Sequence, residues 1–455
     1  MRRPASAVLR SLRCWALALA LAFALSAHIS ATGFFINQQS VRGLGRVDAG
    51  NTVAADELGT IFFNPAGLPL IWGDQQQRRD LRISLAAHLI VPRGDQRDLG
   101  STVATPGSLR AFVPVGGGDG HNPTNPTPAP NLYAALRLNE RAALGFGFNI
   151  PFGLATQFTP GWHGRYDATE AELRTYNISL VGAYQFDSGL SLGGGLDLQY
   201  ARSLLSSAIP NPLAPGGPSA ATDARIQTRG HDYFTPGFNV GALYDIDENT
   251  RIGAHYRSAM KHEIEGVSEI HGLQGPLAVS NGAVDARADL HLPAITTAGV
   301  RRRLTDDLLL LGEFEWFDWS TFKEVRIQFA DGRPDGVRTT NYRDAYAFAG
   351  GVEYQRDGGW TVRGGLHYDT TPTVDNFRDT TVPDADRLWL GLGASFQLRD
   401  ALSVDVAFNH VFFRDTTIAL TRTFFDDTPL ATAVKINSDV STVVNTIAID
   451  FRWMF

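Results

Sequence analysis

The chain has 455 residues, a formal net charge of −7, 19% charged residues, a mean hydropathy of −0.11 and one cysteine, Cys14. Beyond the amino-terminal region no run of about eighteen apolar residues occurs, which excludes a helical membrane span there. The acidic balance argues against a nucleic-acid partner, and a lone cysteine excludes an internal disulfide or a thiolate metal cluster.

Arg2, Arg3, Arg10 and Arg13 form a basic start, Cys14 to Ala27 is a short apolar run, and small residues follow to Ala31. This pattern predicts a secretory signal peptide over residues 1–31. Arg13 stands where a lipoprotein cleavage site wants a small residue. Removing four arginines takes the charge from −7 to −11 and leaves no thiol. Residues 32–80 are polar and punctuated by glycine, with no strand period. Phe34, Phe35, Ile36, Ile61, Phe62 and Phe63 make the segment too apolar for a solvated tail. Arg42, Arg46, Asp48, Asp56 and Glu57 could pair with a polar wall, so this segment is expected to be an amino-terminal hatch.

From 81 to 455 the pattern is alternation. Strands are predicted at 81–91, 131–139, 142–150, 174–187, 189–203, 233–246, 250–264, 288–304, 307–320, 345–356, 360–369, 387–399, 402–414 and 442–455. Leu388, Leu390, Leu392, Phe396 and Leu398 show the period of two, as do Ile447, Ile449, Phe451, Trp453 and Phe455. Connections alternate between long segments and short turns such as Asn139–Glu140 and Asp187–Ser188. Short periplasmic turns and long outer loops mark outer-membrane barrels. The first long connection, 92–130, holds Gly116 to Gly118 and Pro123, Pro126, Pro128 and Pro130 and is expected to be flexible, with no fold of its own. The prediction is an all-β fold: a fourteen-stranded antiparallel transmembrane β-barrel plugged by the hatch, in a Gram-negative outer membrane. A barrel that wide leaves a lumen side chains cannot fill. The aromatic tail at Phe455 is the expected signal to the barrel assembly machinery, the surroundings are outer-membrane lipid and lipopolysaccharide, and the barrel is expected to be a monomer.

No catalytic residue, metal site or cofactor site is expected. Gly189 to Gly193 matches G-x-S-x-G but lies within an alternating strand, without the strand-to-helix elbow a nucleophile needs. The eleven histidines form no H-E-x-x-H. A barrel-borne lipid hydrolase and a porin for polar solutes are the competing classes. One backbone feature stands out. The strand Leu144, Phe146, Phe148, Ile150, read as facing outward, runs into Pro151-Phe152-Gly153. Proline removes a ladder donor and glycine permits a kink, so a gap in the wall is expected there.

The order of short motifs resembles the FadL family of outer-membrane transporters of long-chain fatty acids and other hydrophobic compounds. In the hatch these are Gly33-Phe34, Gly43-Leu44-Gly45-Arg46, Ala54-Ala55-Asp56 and Asn64-Pro65-Ala66. Phe152 to Thr156, Tyr342 to Tyr346, Trp360 to Arg363, Pro383 to Leu390 and Ser403 to Val406 continue the series. The resemblance implies capture in a groove between loops 204–232 and 265–287, where Ala208, Ile209, Pro210, Pro212, Leu213 and Ala214 would supply apolar surface. It implies a deeper pocket in which Phe34 touches the ligand and Arg338 meets its carboxylate. A second basic position of the family falls on Ser207, a departure that leaves room for a neutral ligand such as an aromatic hydrocarbon. It implies lateral exit at Pro151 and Gly153, with Asn64, Pro65 and Ala66 packed beside the gap.

Overall fold

A computed structural model describes residues 33–73, 80–104, 112–356 and 359–455. The signal peptide expected over 1–31, with Cys14, lies outside the described residues. Fourteen antiparallel strands close a barrel. They are β1 (Leu81–Asp98), β2 (Thr127–Arg137), β3 (Ala142–Asn149, resuming at Gly153–Gln157), β4 (Glu170–Gln185) and β5 (Leu190–Ile209). Next come β6 (Ala224–Asp245), β7 (Thr250–Arg257, continued by Met260–His271), β8 (Gly282–Leu292, continued by Ile295–Arg303) and β9 (Leu308–Phe317). The last are β10 (Ala345–Arg356), β11 (Trp360–Asp369), β12 (Arg387–Arg399), β13 (Leu402–Phe413) and β14 (Thr432–Met454). Each pairs with its sequence neighbour, and β1 closes on β14 in register from Arg82↔Met454 to Asp98↔Ser438. Apart from one interruption between β2 and β3, closure leaves no sheet edge to satisfy in lipid, which is what lets strands cross a membrane.

The alternation sorts the faces as read. Leu388, Leu390, Leu392, Phe396 and Leu398 of β12 are exposed on the outer face, while Trp389 and Ser395 are buried inside. On β14, Ile447, Ile449 and Phe451 face out, and Thr446, Ala448 and Asp450 face the lumen.

The strand ends depart from the expectation. Outside the membrane several strands rise into tall hairpins, because pairing with a neighbour satisfies backbone groups as well there as in lipid. Loop 265–287 is mostly the strand pair Met260–His271 and Gly282–Leu292, joined by a short 3-10 turn at Gly275–Ser280. Connection 92–130 is not structureless. Thr102–Ala104 pairs with both Phe112–Pro114 and β14, and β2 begins at Thr127, within the expected loop.

The hatch fills the lumen with two short helices, α1 (Val41–Gly45) and α2 (Thr60–Phe63), and a 3-10 helix, Pro65–Trp72. Ser40 caps α1 by accepting from the Gly43 amide. Charges fasten the hatch to the wall: Arg42 lies 3.3 Å from Asp405 and 3.1 Å from Asp56, and Arg46 binds Asp56 at 3.2 Å and also Glu353. Burial alone would raise the Asp56 carboxyl, but Arg46 and Arg42 hold it well below the usual carboxylate range. The wall makes room for this packing by omitting side chains. A Cβ at Gly193 would collide with Ala66, and one at Gly241 with Asn64.

Candidate ligand path

β3 breaks where Pro151 and Gly153 predict. Ala143 to Phe148 pair with β2, whereas Gly153–Gln157 pairs with β4 alone. From Thr127 to Asn131, β2 keeps its ladder with β1 but has no partner on the β3 side. Pro128 and Pro130, two residues apart, lack donors on one and the same edge. Since the ladder to β1 continues past both, the edge that loses donors is the one facing β3. The kink also turns Ile150 inward: it is 4% exposed, and the outward placement read from the alternation is corrected.

The hatch closes this opening as an added strand. Ile36 N donates to the Pro151 carbonyl at 2.8 Å, Gly153 N donates to the Phe34 carbonyl at 2.9 Å, and Phe35 bridges Phe152 antiparallel. Gln39 Nε2 donates to the Ile150 carbonyl at 2.8 Å, and its own side-chain oxygen accepts from Asn131 Nδ2 of β2 at 3.0 Å. Asn64, Pro65 and Ala66, expected beside the gap, lie elsewhere. Asn64 Nδ2 donates to the carbonyls of Thr52, Ala242 and Ala254, and Ser191 Oγ donates to Ala66 O at 2.6 Å. That segment docks on β5, β6 and β7, where glycines in the wall let its backbone approach. The bond from Ser191 also places the G-x-S-x-G serine as a buried wall contact.

Above the hatch is an inner cavity of about 960 Å³ of non-atom space, partly open to solvent. Its lining is mainly apolar, including Leu154, Leu173, Leu205, Ile264, Leu290, Val325 and Val382. Phe34 forms part of its base and packs edge-on against Trp319 at 4.6 Å and Phe322 at 5.6 Å. Phe34 thus belongs both to the cavity and to the segment that closes the gap. Arg338 also lines the cavity, but it is not a free cation. It donates to the Asp167 carbonyl at 2.7 Å and lies 3.4 Å from Asp379 and 3.5 Å from the Asp167 carboxylate.

Asp167 is the centre of this network. Arg422 donates to its Oδ1 through Nε and Nη2 at 2.8 and 2.6 Å, and the Thr380 amide and hydroxyl bind its Oδ2. Burial pushes the Asp167 carboxyl up, but Arg422 and Arg338 outweigh it and hold the group well below the ordinary range. Arg422, Asp167 and Asp379 have no local signal in the sequence, because each comes from a different loop.

A second, outer cleft spans about 860 Å³ of non-atom space and opens to solvent. Ser207 lines it, with Leu205 and Ile226 on one side and Val325, Ile327, Phe329 and Phe424 opposite. The groove expected between loops 204–232 and 265–287 is corrected in part. The third loop contributes a wall to this cleft, but the facing wall is the hairpin Glu324–Phe329 with Gly336–Thr339. Ile209 is packed with Ile270 and Leu273 of the fourth loop, and Asn211 Nδ2 donates to the Gly272 carbonyl at 2.9 Å. The two loops are stitched together by these contacts.

Residues 22–455 match the model of the family described as outer membrane protein transport protein (OMPP1/FadL/TodX). The long-chain fatty acid transport protein of Escherichia coli O6:H1 is 28% identical over 422 residues, covering 87% of this chain and 90% of that one. Outer membrane protein P1 of Haemophilus influenzae is 24% identical, covering 96% and 98%. Among solved structures, a Pseudomonas aeruginosa FadL homologue superposes with a TM-score of 0.79 at 21% identity, covering 93% of this chain and all of that one. The toluene transporter TbuX of Ralstonia pickettii gives 0.60 at 19% identity, covering 90% and 98%. With its hatch in place and its family model matched across nearly the whole length, this chain is an outer-membrane barrel and belongs to the OMPP1/FadL/TodX family of outer membrane transport proteins.

Proposed function

We propose that the barrel takes up long-chain fatty acids passively and releases them sideways into the outer leaflet. The ligand leaves the outer cleft, enters the inner cavity with its tail against Phe34, and displaces the segment from Phe34 to Gln39. That segment then peels from β3, and the gap between β2 and β3 opens to lipid. The observation that carries the reading is that one hatch segment both bounds the cavity and closes the wall. An apolar tail gains roughly 0.8 kcal/mol per CH₂ removed from water, so a mainly apolar lining attracts it. Cells expressing the chain in an uptake-deficient background should accumulate labelled oleate. Failure to do so with correctly inserted protein would refute the proposal.

One observation favours a second reading, aromatic hydrocarbons. Arg338 is already neutralised by Asp167 and Asp379, and a neutral ligand does not have to compete with them. Uptake of labelled toluene without oleate would select it. Both readings assume a barrel inserted through its carboxy-terminal strand by the assembly machinery, surrounded by lipopolysaccharide and acting as a monomer without catalysis.

A further inference from the structure

Arg422 stands at the boundary of two spaces. The outer cleft and the inner cavity share Leu205, Thr228, Val325, Ile327, Arg338 and Thr381. Arg338 faces both, and Arg422 lines only the outer one. Nε and Nη2 of Arg422 hold Asp167, and Nη2 also lies 3.9 Å from the Asp379 carboxylate, while Nη1 makes no hydrogen bond among the described residues. The Arg422 side chain is 23% exposed, although the Asp167 carboxylate it grips is fully buried. A guanidinium fixed on one edge and open on the other presents a preoriented pair of donors. The cleft that Arg422 lines is also lined by the apolar side chains of Ile226, Phe329 and Phe424. A carboxylate with a long apolar tail fits both features; a neutral hydrocarbon uses only the walls.

We infer that Arg422 is a second headgroup-binding residue, which takes the carboxylate of a fatty acid in the outer cleft before that carboxylate passes to Arg338 in the inner cavity. Asp167 and Asp379 remain shared between the two arginines, 3.5 and 3.4 Å from Arg338 and 2.6 and 3.9 Å from Arg422, so the transfer moves the ligand's charge between cations that are already in place. The inference rests on the fatty-acid reading of the path.

The test compares binding of labelled oleate and methyl oleate to the purified full-length protein by equilibrium dialysis. In Arg422→Gln, oleate affinity should fall about tenfold or more, methyl oleate should hold, and Arg422→Lys should recover most of the oleate affinity. Equal loss for both ligands, or no loss, overturns the role of Arg422. If the wild type binds methyl oleate and not oleate, the fatty-acid reading itself fails, which is a different result. A second measurement needs no variant. Oleate carrying a photoreactive group beside its carboxylate should label residues around 205–207 and 422–424 of the wild type. Labelling confined to the Phe34 and Phe322 segments would overturn the outer site.

Discussion

Phe34 and Arg338 reach one cavity and ask different things of a ligand. Phe34 offers only surface, so Phe34→Ala should weaken oleate and methyl oleate alike, as read by displacement of a fluorescent fatty acid. On the proposed fatty-acid path, Arg338 would distinguish charge. A charge-assisted hydrogen bond contributes roughly 1.5–3 kcal/mol, and competition from Asp379 and Asp167 puts this one near the lower end. Arg338→Gln should therefore cost oleate about tenfold and leave methyl oleate unchanged. Equal effects would assign Arg338 to the loop network alone. That network has its own pH signature. A carboxyl depressed in the folded state contributes stability that is present above its unfolded pKa and lost as pH falls through the folded value. The outer-loop contacts of Asp167 should survive below about pH 4, and Asp167→Asn should remove that resistance in limited proteolysis. Phe34 and Arg338 were legible because each sits in or near a short motif. Asp167 and Arg422 were not, because 255 residues separate them and only barrel closure brings them together.

At the scale of elements, sequence patterns exposed the strands and hid their ends. Alternation identified β12 residue by residue and β14 from Thr442 on, since each face meets one environment along the membrane-spanning length, but it missed the start of β14 at Thr432 to Ser441. It weakened above the membrane, where both faces of β6 to β8 meet water or polar loops and the period loses its contrast. Pro151 marked the break in β3, but Pro128 and Pro130 were read as loop residues. They define the opposing lip of the gap, where a strand can carry proline on an unpaired edge. Restoring donors on both lips with Pro128→Val, Pro130→Val and Pro151→Val should favour pairing of β2 with β3. Gly153 is best left in place, because a Cβ there would lie 2.8 Å from Ile36 Cδ1 and disturb the hatch. Oleate binding should persist in the triple variant, and uptake should fall several-fold. Undiminished uptake, with new amide-exchange protection along β2, would mean the ligand does not leave here.

For the whole molecule, the question is whether the hatch moves. The hatch is locked to the wall around Arg46, Asp56 and Glu353, where loss of one partner from a buried ion pair costs about 3–5 kcal/mol. At Phe34 to Ile36 it is held by backbone bonds to one strand and by packing of these buried side chains against Phe152, Phe317, Trp319 and Phe322, apolar contacts that the tail of a ligand can replace where it cannot replace an ion pair. The mechanism therefore expects local release at this end and a fixed body below. Phe35 and Phe152 allow a direct trial. The bonds from Ile36 to Pro151 and from Gly153 to Phe34 flank this pair, making it a non-hydrogen-bonded antiparallel pair. Such pairs have Cα atoms about 4.5 Å apart, within disulfide range. Cys14 is the only native cysteine and falls in the expected signal peptide, so Phe35→Cys with Phe152→Cys should form one defined bond. Oxidised, the double variant should still bind oleate at the outer cleft and should lose uptake into cells; reduction should restore uptake. Equal transport in both redox states would show that the ligand passes without parting the hatch from β3, and the lateral path would have to be abandoned.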